Sequence, residues 1–292
     1  MSEIDVDRTA TTNDVTTNDV AANDVTTNHD TDHLDTDHLD TDHVAIDTPS
    51  ATNHRTLDAT PDAKPFWKVP PLHKPQLKAL AVIWVAMTTA YVLVGLAIVQ
   101  WWEPSGGGRA EARLSRWLDD QRTDQRNDLA TIGSALSDTG TKIGLLVVLC
   151  PLMLWMYRRW HDWAFIAFGL LLEVSVFFTA SKIVRRERPQ IEQLDTAPTF
   201  SWPSGHIAAC VVFYVGIATV VFWNTRSKLS RAVFAAIAVA APIVVITCRL
   251  YLGMHYASDA IGGVVLGLLT LLVMRHQLIA ARGGRPLSDP TP

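Results

Sequence analysis

Residues 205–223, GHIAACVVFYVGIATVVFW, decide the fold of this protein. None of them is Asp, Glu, Lys or Arg, and the stretch falls within the ~17–25 residues that a helix needs to cross the bilayer core. Its last residue is Trp223, an amphipathic aromatic of the kind that anchors a helix end at the level of the headgroups. The stretch therefore predicts a transmembrane helix.

Five further apolar segments accompany this one. They are Leu77–Trp101, Ile143–Tyr157, Trp163–Ile183, Ala232–Cys248 and Asp259–Met274. A soluble protein with deeply buried helices is the alternative, but six such segments in about 200 residues leave no polar faces to cover them. The sequence predicts an all-α polytopic membrane protein with six transmembrane helices.

Basic residues in the short connections predict the topology. They fall in four groups: Lys64, Lys68, Lys74 and Lys78; Arg158 and Arg159; Arg226, Lys228 and Arg231; Arg275, Arg282 and Arg285. If all six segments cross, the four groups lie on one side, which the positive-inside rule makes cytoplasmic. We therefore expect a multi-pass protein of the cell membrane with both termini in the cytoplasm. The first, third and fifth connections then face outward.

The N-terminal part has a different character. Residues 1–60 contain 14 acidic and two basic residues, and the motif TNDV recurs with a five-residue period. Such a composition cannot bury enough apolar surface to fold, so we expect a disordered acidic tail over 1–64. Weak metal binding by its histidines is the alternative; these are His33, His38 and His43. A Pro-rich juxtamembrane linker at 65–76, the six-span domain at 77–276 and a cytoplasmic tail at 277–292 complete the expected organisation.

The outward connection between spans three and four is basic, against the positive-inside trend. Its cationic residues are Lys182, Arg185, Arg186 and Arg188. A bound anion explains such an exception, because the guanidinium group of Arg binds phosphate oxygens bidentately. Pro203, Ser204 and Gly205 then begin the fourth span. A helix N-terminus offers free N–H groups and a favourable dipole to an anion, and Gly lets the backbone approach it closely.

Two histidines on the same side of the membrane suggest catalysis. His255 and Asp259 are four residues apart, so on a helical turn the carboxylate is able to orient the imidazole for nucleophilic attack. His206, which follows the predicted phosphate site, is able to protonate a leaving alkoxide. Each residue alone is better explained as an interfacial histidine or a helix cap. Together with Arg249 at the end of span five, the ordered set predicts phosphoryl chemistry.

Residues 185–259 resemble the three signature motifs of the type 2 phosphatidic acid phosphatase superfamily, which includes lipid phosphate phosphatases and vanadium haloperoxidases. The first family motif is a Lys, six residues and Arg-Pro. Arg188 and Pro189 match it, but Ser181 stands at the lysine position and Lys182 comes one residue late. One residue turns a side chain by ~100° on a helix, so the alternatives are that Arg185 or Arg186 takes the place of the lysine, or that the long side chain of Lys182 still reaches the site.

The other two motifs match more closely. Pro-Ser-Gly-His is complete at 203–206, and the third motif is present with Cys248 in place of its Ser. The resemblance implies that His255 is the nucleophile, supported by Asp259, and that His206 is the general acid. It implies a phosphate site made by Arg188, Ser204, Gly205, Arg249, Lys182 and Arg185, with no cofactor and no metal.

The implied partners are the lipid bilayer and a lipid phosphate or polyprenyl diphosphate substrate, without nucleic acid. Undecaprenyl or decaprenyl diphosphate, phosphatidylglycerol phosphate and phosphatidic acid all suit the site, and the sequence leaves the oligomeric state open. The alternatives are a haloperoxidase-like enzyme with bound vanadate and a non-catalytic binding or transport protein. Glu173 within span three belongs either to a transport pathway or to a helix contact. The outer loop 103–142 either covers the site as an amphipathic segment or only joins two spans.

Overall fold

The structure is a computed structural model that describes residues 70–196 and 199–289, without the side chains of residues 139 and 150. Every regular element in these ranges is a helix, which confirms the predicted all-α class. The predicted acidic tail at 1–64, its three histidines and the first part of the linker lie outside the described residues. Their predicted organisation therefore stays a prediction.

Eight helices follow one another along the described chain. They are α1 (Lys74–Ala97), α2 (Gly106–Asp120), α3 (Asp124–Ala135), α4 (Thr139–Tyr157), α5 (Trp160–Val184), α6 (Gly205–Asn224), α7 (Lys228–Tyr251) and α8 (Ala257–Ala281). A π-helical turn, Ile98–Trp102, continues α1.

Six of these helices are long and apolar enough to cross a membrane, as predicted. The spans are Lys74–Trp102, Gly140–Tyr157, Trp160–Val184, Gly205–Asn224, Lys228–Tyr251 and Ala257–Ala281. Several run further than the apolar segments that predicted them. The last span, for example, extends to Ala281 because Gln277 and Leu278 still pack inside the protein.

Helix α6 lies at the centre of the bundle. It packs against α5, α7 and α8, while α1 packs against α5 and α8. Close approach of α8 to α6 depends on two glycines: a Cβ on Gly263 would lie 2.6 Å from the Ser204 carbonyl oxygen, and one on Gly267 would lie 2.7 Å from the Val211 Cβ. Small residues at such crossings let membrane helices pack tightly without a hydrophobic driving force.

The first outer connection folds into α2 and α3. Ser105 and Thr123 cap these helices by accepting hydrogen bonds from the backbone N–H groups of Gly107 and Arg126. Helix α3 packs along α7, and α2 contacts the start of α8 through Glu111, which accepts a 2.6 Å hydrogen bond from the Ser258 N–H. The connection therefore lies over the end of the bundle at which α8 begins.

Candidate active site

A cavity of about 190 Å³ opens where the first turns of α4 and α6 and the C-terminal half of α5 meet the connections 185–204 and 252–256. Its polar lining includes Lys142, Glu173, Arg188, Thr196, His206 and His255. Residues of all three predicted motifs thus meet in space: Arg188 of the first, His206 of the second and His255 of the third. About 70 residues separate Arg188 from Asp259, the last residue of the third motif, in the chain.

His255 lies in the turn between α7 and α8 and is 3% exposed. Its Nδ1 is 2.9 Å from the carbonyl oxygen of Ser201. A carbonyl only accepts, so Nδ1 carries the proton and Nε2 keeps the lone pair in the neutral ring. Burial, followed by the positive charges of Arg188 and Arg249, holds the pKa of His255 well below its usual value. His255 is therefore a neutral imidazole with a nucleophilic Nε2 at neutral pH.

Asp259 lies in the first turn of α8, close to His255. The nearest approach of its carboxylate to the imidazole is 3.9 Å, between Oδ2 and Nδ1, which is too long for a hydrogen bond. Oδ2 instead accepts a 2.5 Å hydrogen bond from the Ser201 hydroxyl and a 2.8 Å bond from the Tyr256 N–H. The predicted orientation of His255 by Asp259 therefore takes an indirect form, in which Asp259 holds Ser201 and the Ser201 carbonyl holds the ring.

His206 occupies the first turn of α6 on the opposite side of the cavity. Its Nε2 is 3.6 Å from Oδ1 of Asp138, and its carbonyl oxygen accepts a hydrogen bond from the hydroxyl of Ser137. The side chain is 31% exposed, much more than that of His255. A half-exposed imidazole next to a carboxylate suits proton exchange with a leaving group and with water.

Arg249 ends α7 and is fully buried. One of its nitrogens, Nη1, donates to the Ser134 hydroxyl at 3.1 Å and to Oδ2 of Asp195 at 2.5 Å. Among the described residues its Nε and Nη2 have no hydrogen-bond acceptor. Buried guanidinium donors are costly to leave unpaired, so this side chain is prepared for an anionic ligand.

Arg188 lines the cavity from the connection between α5 and α6. It donates through Nη1 to the Met254 carbonyl and through Nη2 to the Thr199 carbonyl at 3.1 Å. Burial and then the charge of Arg249 lower the pKa of Arg188 to about 10, so it remains charged at neutral pH. The positive charges of both arginines act on His255.

The Pro-Ser-Gly-His segment forms the N-terminus of α6. The first N–H groups of a helix have no intrahelical acceptor, and here the Ser204 hydroxyl, which is buried, also has no partner among the described residues. Gly205 packs against the ring of Phe177, where a Cβ would come within 2.7 Å. This segment has the backbone and hydroxyl donors that an anion needs.

Lys182 and Arg185 are not brought into this cavity. Both are exposed; the Lys182 Nζ lies 5.3 Å from the centroid of the Phe178 ring, and the Arg185 Nε donates to the Lys182 carbonyl. Arg185 ends α5 in a left-handed conformation with φ of 53°, which turns the chain away from the helix axis. The predicted phosphate-binding roles of these two side chains receive no geometric support.

Arg186 is buried outside the cavity, among three carboxylates. Its guanidinium donates to Asp259 at 2.6 Å, to Glu103 at 2.7 Å and to Glu111 at 3.1 Å. Burial lowers the pKa of Arg186, but the charge of Asp259 and the hydrogen bonds outweigh it and raise the pKa above its usual value. Arg186 therefore stays charged and holds Asp259 in place rather than contacting a ligand.

Several residues of the site were not predicted from the sequence. Lys142, Ser137, Ser201 and Glu111 had no assigned role, and Glu173 was assigned only to a pathway or a helix contact. Lys142 carried a usable signal, because under the predicted topology a lysine at this end of span two is a further exception to the positive-inside trend. Hydrogen bonds join Ser134 to Arg249 and Ser137 to the His206 carbonyl, so the end of α3 lies next to the site, while the predicted role of the outer loop stays a prediction.

The fold and the site define a class: a six-span helical bundle with His206, His255 and Arg188 in one cavity at one end and the buried Arg249 near them. Residues 163–282 match the model of the PAP2 superfamily, which confirms the resemblance predicted from the three motifs.

Two known proteins are similar to this chain in sequence or in fold. The chain is similar to phosphatidylglycerophosphatase B of Bacillus subtilis (strain 168), with 33% identity over 139 residues that make up 44% of this chain and 64% of that protein. The alignment thus spans just under two thirds of the relative's length. The fold is similar to the crystal structure of a transmembrane PAP2-type phosphatidylglycerolphosphate phosphatase from Bacillus subtilis, with a TM-score of 0.58 and 23% identity over 66% of this chain and 94% of that one.

Proposed function

We propose that this protein is a membrane phosphatase that hydrolyses a lipid phosphate or polyprenyl diphosphate through a phosphohistidine intermediate. The observation that carries the proposal is the single cavity that His255, His206 and Arg188 line together, with the buried donors of Arg249 beside it. The match of residues 163–282 to the PAP2 superfamily and the similarity to a phosphatidylglycerophosphatase support the same reaction class.

In the first half of the reaction, Nε2 of His255 attacks the phosphorus atom. The N–P bond forms as the bond between phosphorus and the leaving oxygen breaks, and His206 gives its proton to that oxygen. Arg188, Arg249 and the donors at Ser204 and Gly205 hold the three non-bridging oxygens and stabilise their charge in the transition state.

In the second half, water replaces the leaving group. His206, now neutral, takes a proton from the water, whose oxygen attacks phosphorus while the N–P bond breaks. Inorganic phosphate leaves, and both histidines return to their starting protonation states. The Ser201 carbonyl keeps the proton of His255 on Nδ1 throughout, so that Nε2 is the atom that carries the phosphoryl group.

Charge distribution supports an outward-facing site. The basic groups between spans two and three and between spans four and five lie at the end of the bundle opposite the cavity, which the positive-inside rule places in the cytoplasm. The proposed arrangement is a cell-membrane protein with cytoplasmic termini, an acidic tail at 1–64, a linker at 65–76, the phosphatase domain at 77–276 and a cytoplasmic tail at 277–292.

A phosphate-release assay tests this function. We expect the purified full-length chain in detergent to release phosphate from at least one of phosphatidylglycerol phosphate, phosphatidate and undecaprenyl diphosphate in excess chelator. Orthovanadate should inhibit the release, because the anion is held by arginine and backbone donors. His255→Ala, purified in parallel, is the matched background. Release that stops in chelator and returns with magnesium would contradict the metal-independent mechanism, and no release from any of the three would contradict the function.

A further inference from the structure

The catalytic cavity continues past His206 to a lysine and a glutamate that the proposed reaction does not use. Lys142 lies in the first turns of α4 and lines the cavity. Its Nζ is 3.5 Å from the Ser137 hydroxyl, which itself donates to the His206 carbonyl. The ammonium group is therefore on the side of His206, the proposed acid that protonates the leaving group.

Glu173 lies across the same part of the cavity, in the middle of α5. It is 1% exposed, and among the described residues its Oε1 has no hydrogen-bond partner. It interacts electrostatically with Lys142, but the two side chains do not form an ion pair within 4 Å. An acidic oxygen left without a partner at this depth is costly, so this end of the cavity is suited to a polar ligand.

The scissile phosphate alone does not account for this polar end. Its two negative charges are matched by Arg188 and Arg249, and its oxygens have further donors at the N-terminus of α6. The same cavity, of about 190 Å³, extends to Lys142 and Glu173. Lys142 therefore adds a positive charge beyond those of the two arginines, on the side of His206.

We propose that Lys142 and Glu173 form a subsite for a polar leaving group, in which Lys142 binds a second phosphoryl group of the substrate and Glu173 accepts a hydrogen bond from the free hydroxyl of a glycerol linker, where one is present. The second phosphoryl group is either directly attached, as in a polyprenyl diphosphate, or joined through glycerol, as in phosphatidylglycerol phosphate. Phosphatidate has only the scissile phosphate and leaves the subsite without an anion. This inference rests on the proposed function and specifies its substrate class.

The test compares Lys142→Met with Lys228→Met. Lys228 is an exposed lysine at the start of α7, at the opposite end of the bundle, so the pair matches the same chemical change inside and outside the cavity. We expect Lys142→Met to lower kcat/KM about 10- to 100-fold on phosphatidylglycerol phosphate or undecaprenyl diphosphate, since a charged hydrogen bond is lost. On phosphatidate we expect less than about a threefold change, and Lys228→Met should leave all three values unchanged.

A loss of kcat/KM on undecaprenyl diphosphate indicates a directly attached second phosphoryl group, and a loss on phosphatidylglycerol phosphate indicates one joined through glycerol. An equal loss of kcat/KM on phosphatidate would overturn the inference, because Lys142 would then act on the scissile phosphate or on the fold. The absence of any loss on the other two substrates would also overturn it. If Lys142→Met yields too little folded protein, Lys142→Gln answers the same comparison. Failure of the proposed function itself looks different: the wild-type chain would then release no phosphate from any of the three lipids.

Discussion

At the level of single residues, the connection between His255 and Asp259 runs through Ser201. The imidazole binds the Ser201 carbonyl, and the Asp259 carboxylate binds the Ser201 hydroxyl. A backbone carbonyl fixes the ring tautomer because it only accepts a hydrogen bond. In the proposed mechanism Asp259 is thus a positioning residue, and burial, followed by the positive charges of Arg188 and Arg249, keeps the pKa of His255 low and the ring neutral.

The proposed role of His206 as the general acid predicts that the activity lost in a His206 variant depends on the leaving group of the substrate. A positioned general acid contributes about 10²–10⁴-fold when the leaving group is a poor one, such as a lipid alkoxide. We expect His206→Ala to lose that much in kcat on phosphatidate and far less on p-nitrophenyl phosphate, whose phenolate leaves without a proton. Steady-state rates on both substrates measure this.

His276→Ala serves as the control for that experiment, because His276 is exposed near the C-terminal end of α8, away from the cavity. We expect it to retain both activities. Equal losses in His206→Ala on the lipid and on the nitrophenyl ester would mean that His206 binds phosphate but does not transfer a proton to the leaving oxygen.

At the level of helices, Arg186 joins three elements that are distant in the sequence. It connects Glu103 after the π-helical turn, Glu111 of α2 and Asp259 of α8. The Arg186 guanidinium also lies 4.6 Å from the centroid of the Tyr256 ring. This buried cluster fastens the outer connection to the turn that carries His255.

Removal of Arg186 should therefore destabilise the protein. Arg186→Ala leaves Asp259 and Glu111 buried without their cationic partner, and breaking such a pair costs about 3–5 kcal/mol. Thermal unfolding in detergent is expected to show a clearly lowered Tm. Arg185→Ala, which alters the exposed neighbour, should leave Tm within error of the wild type. A Tm for Arg186→Ala equal to that of Arg185→Ala would contradict the structural role of the cluster.

Helices were easier to predict from this sequence than the contacts between them. Each span depends on a local run of apolar residues, so all six were identified, and the charges and apolar spacing of the outer loop indicated an amphipathic segment where α2 lies. Lys182 and Arg185 were assigned to the phosphate site from their positions relative to a motif. In the structure the chain turns at Arg185 in a left-handed conformation, and the sequence has no Gly there to predict such a turn. The pair of Arg186 with Glu111 joins residues 75 positions apart, and no local pattern predicts it.

At the scale of the whole molecule, the spans bring distant motifs to one end of a bundle. Helix α6 is buried in the centre, and the exposed faces of α1 and α4 are rich in large apolar side chains, as lipid-facing surfaces are. The cavity opens at the end of the bundle that α3 covers, beside the segment 185–204. Arg188, His206 and His255, one residue from each motif, thus line the same cavity.

The central claim is that His255 carries the phosphoryl group, and trapping the intermediate tests it most directly. Wild-type, His206→Ala and His255→Ala chains are incubated with p-nitrophenyl phosphate labelled on its phosphorus, and the reaction is stopped in alkaline denaturant. We expect acid-labile, base-stable label on the wild-type chain and more on His206→Ala, in which hydrolysis is slowed, with none on His255→Ala. Label of the same stability on His255→Ala would contradict the account. So would turnover of the substrate by the wild-type chain without any trapped label.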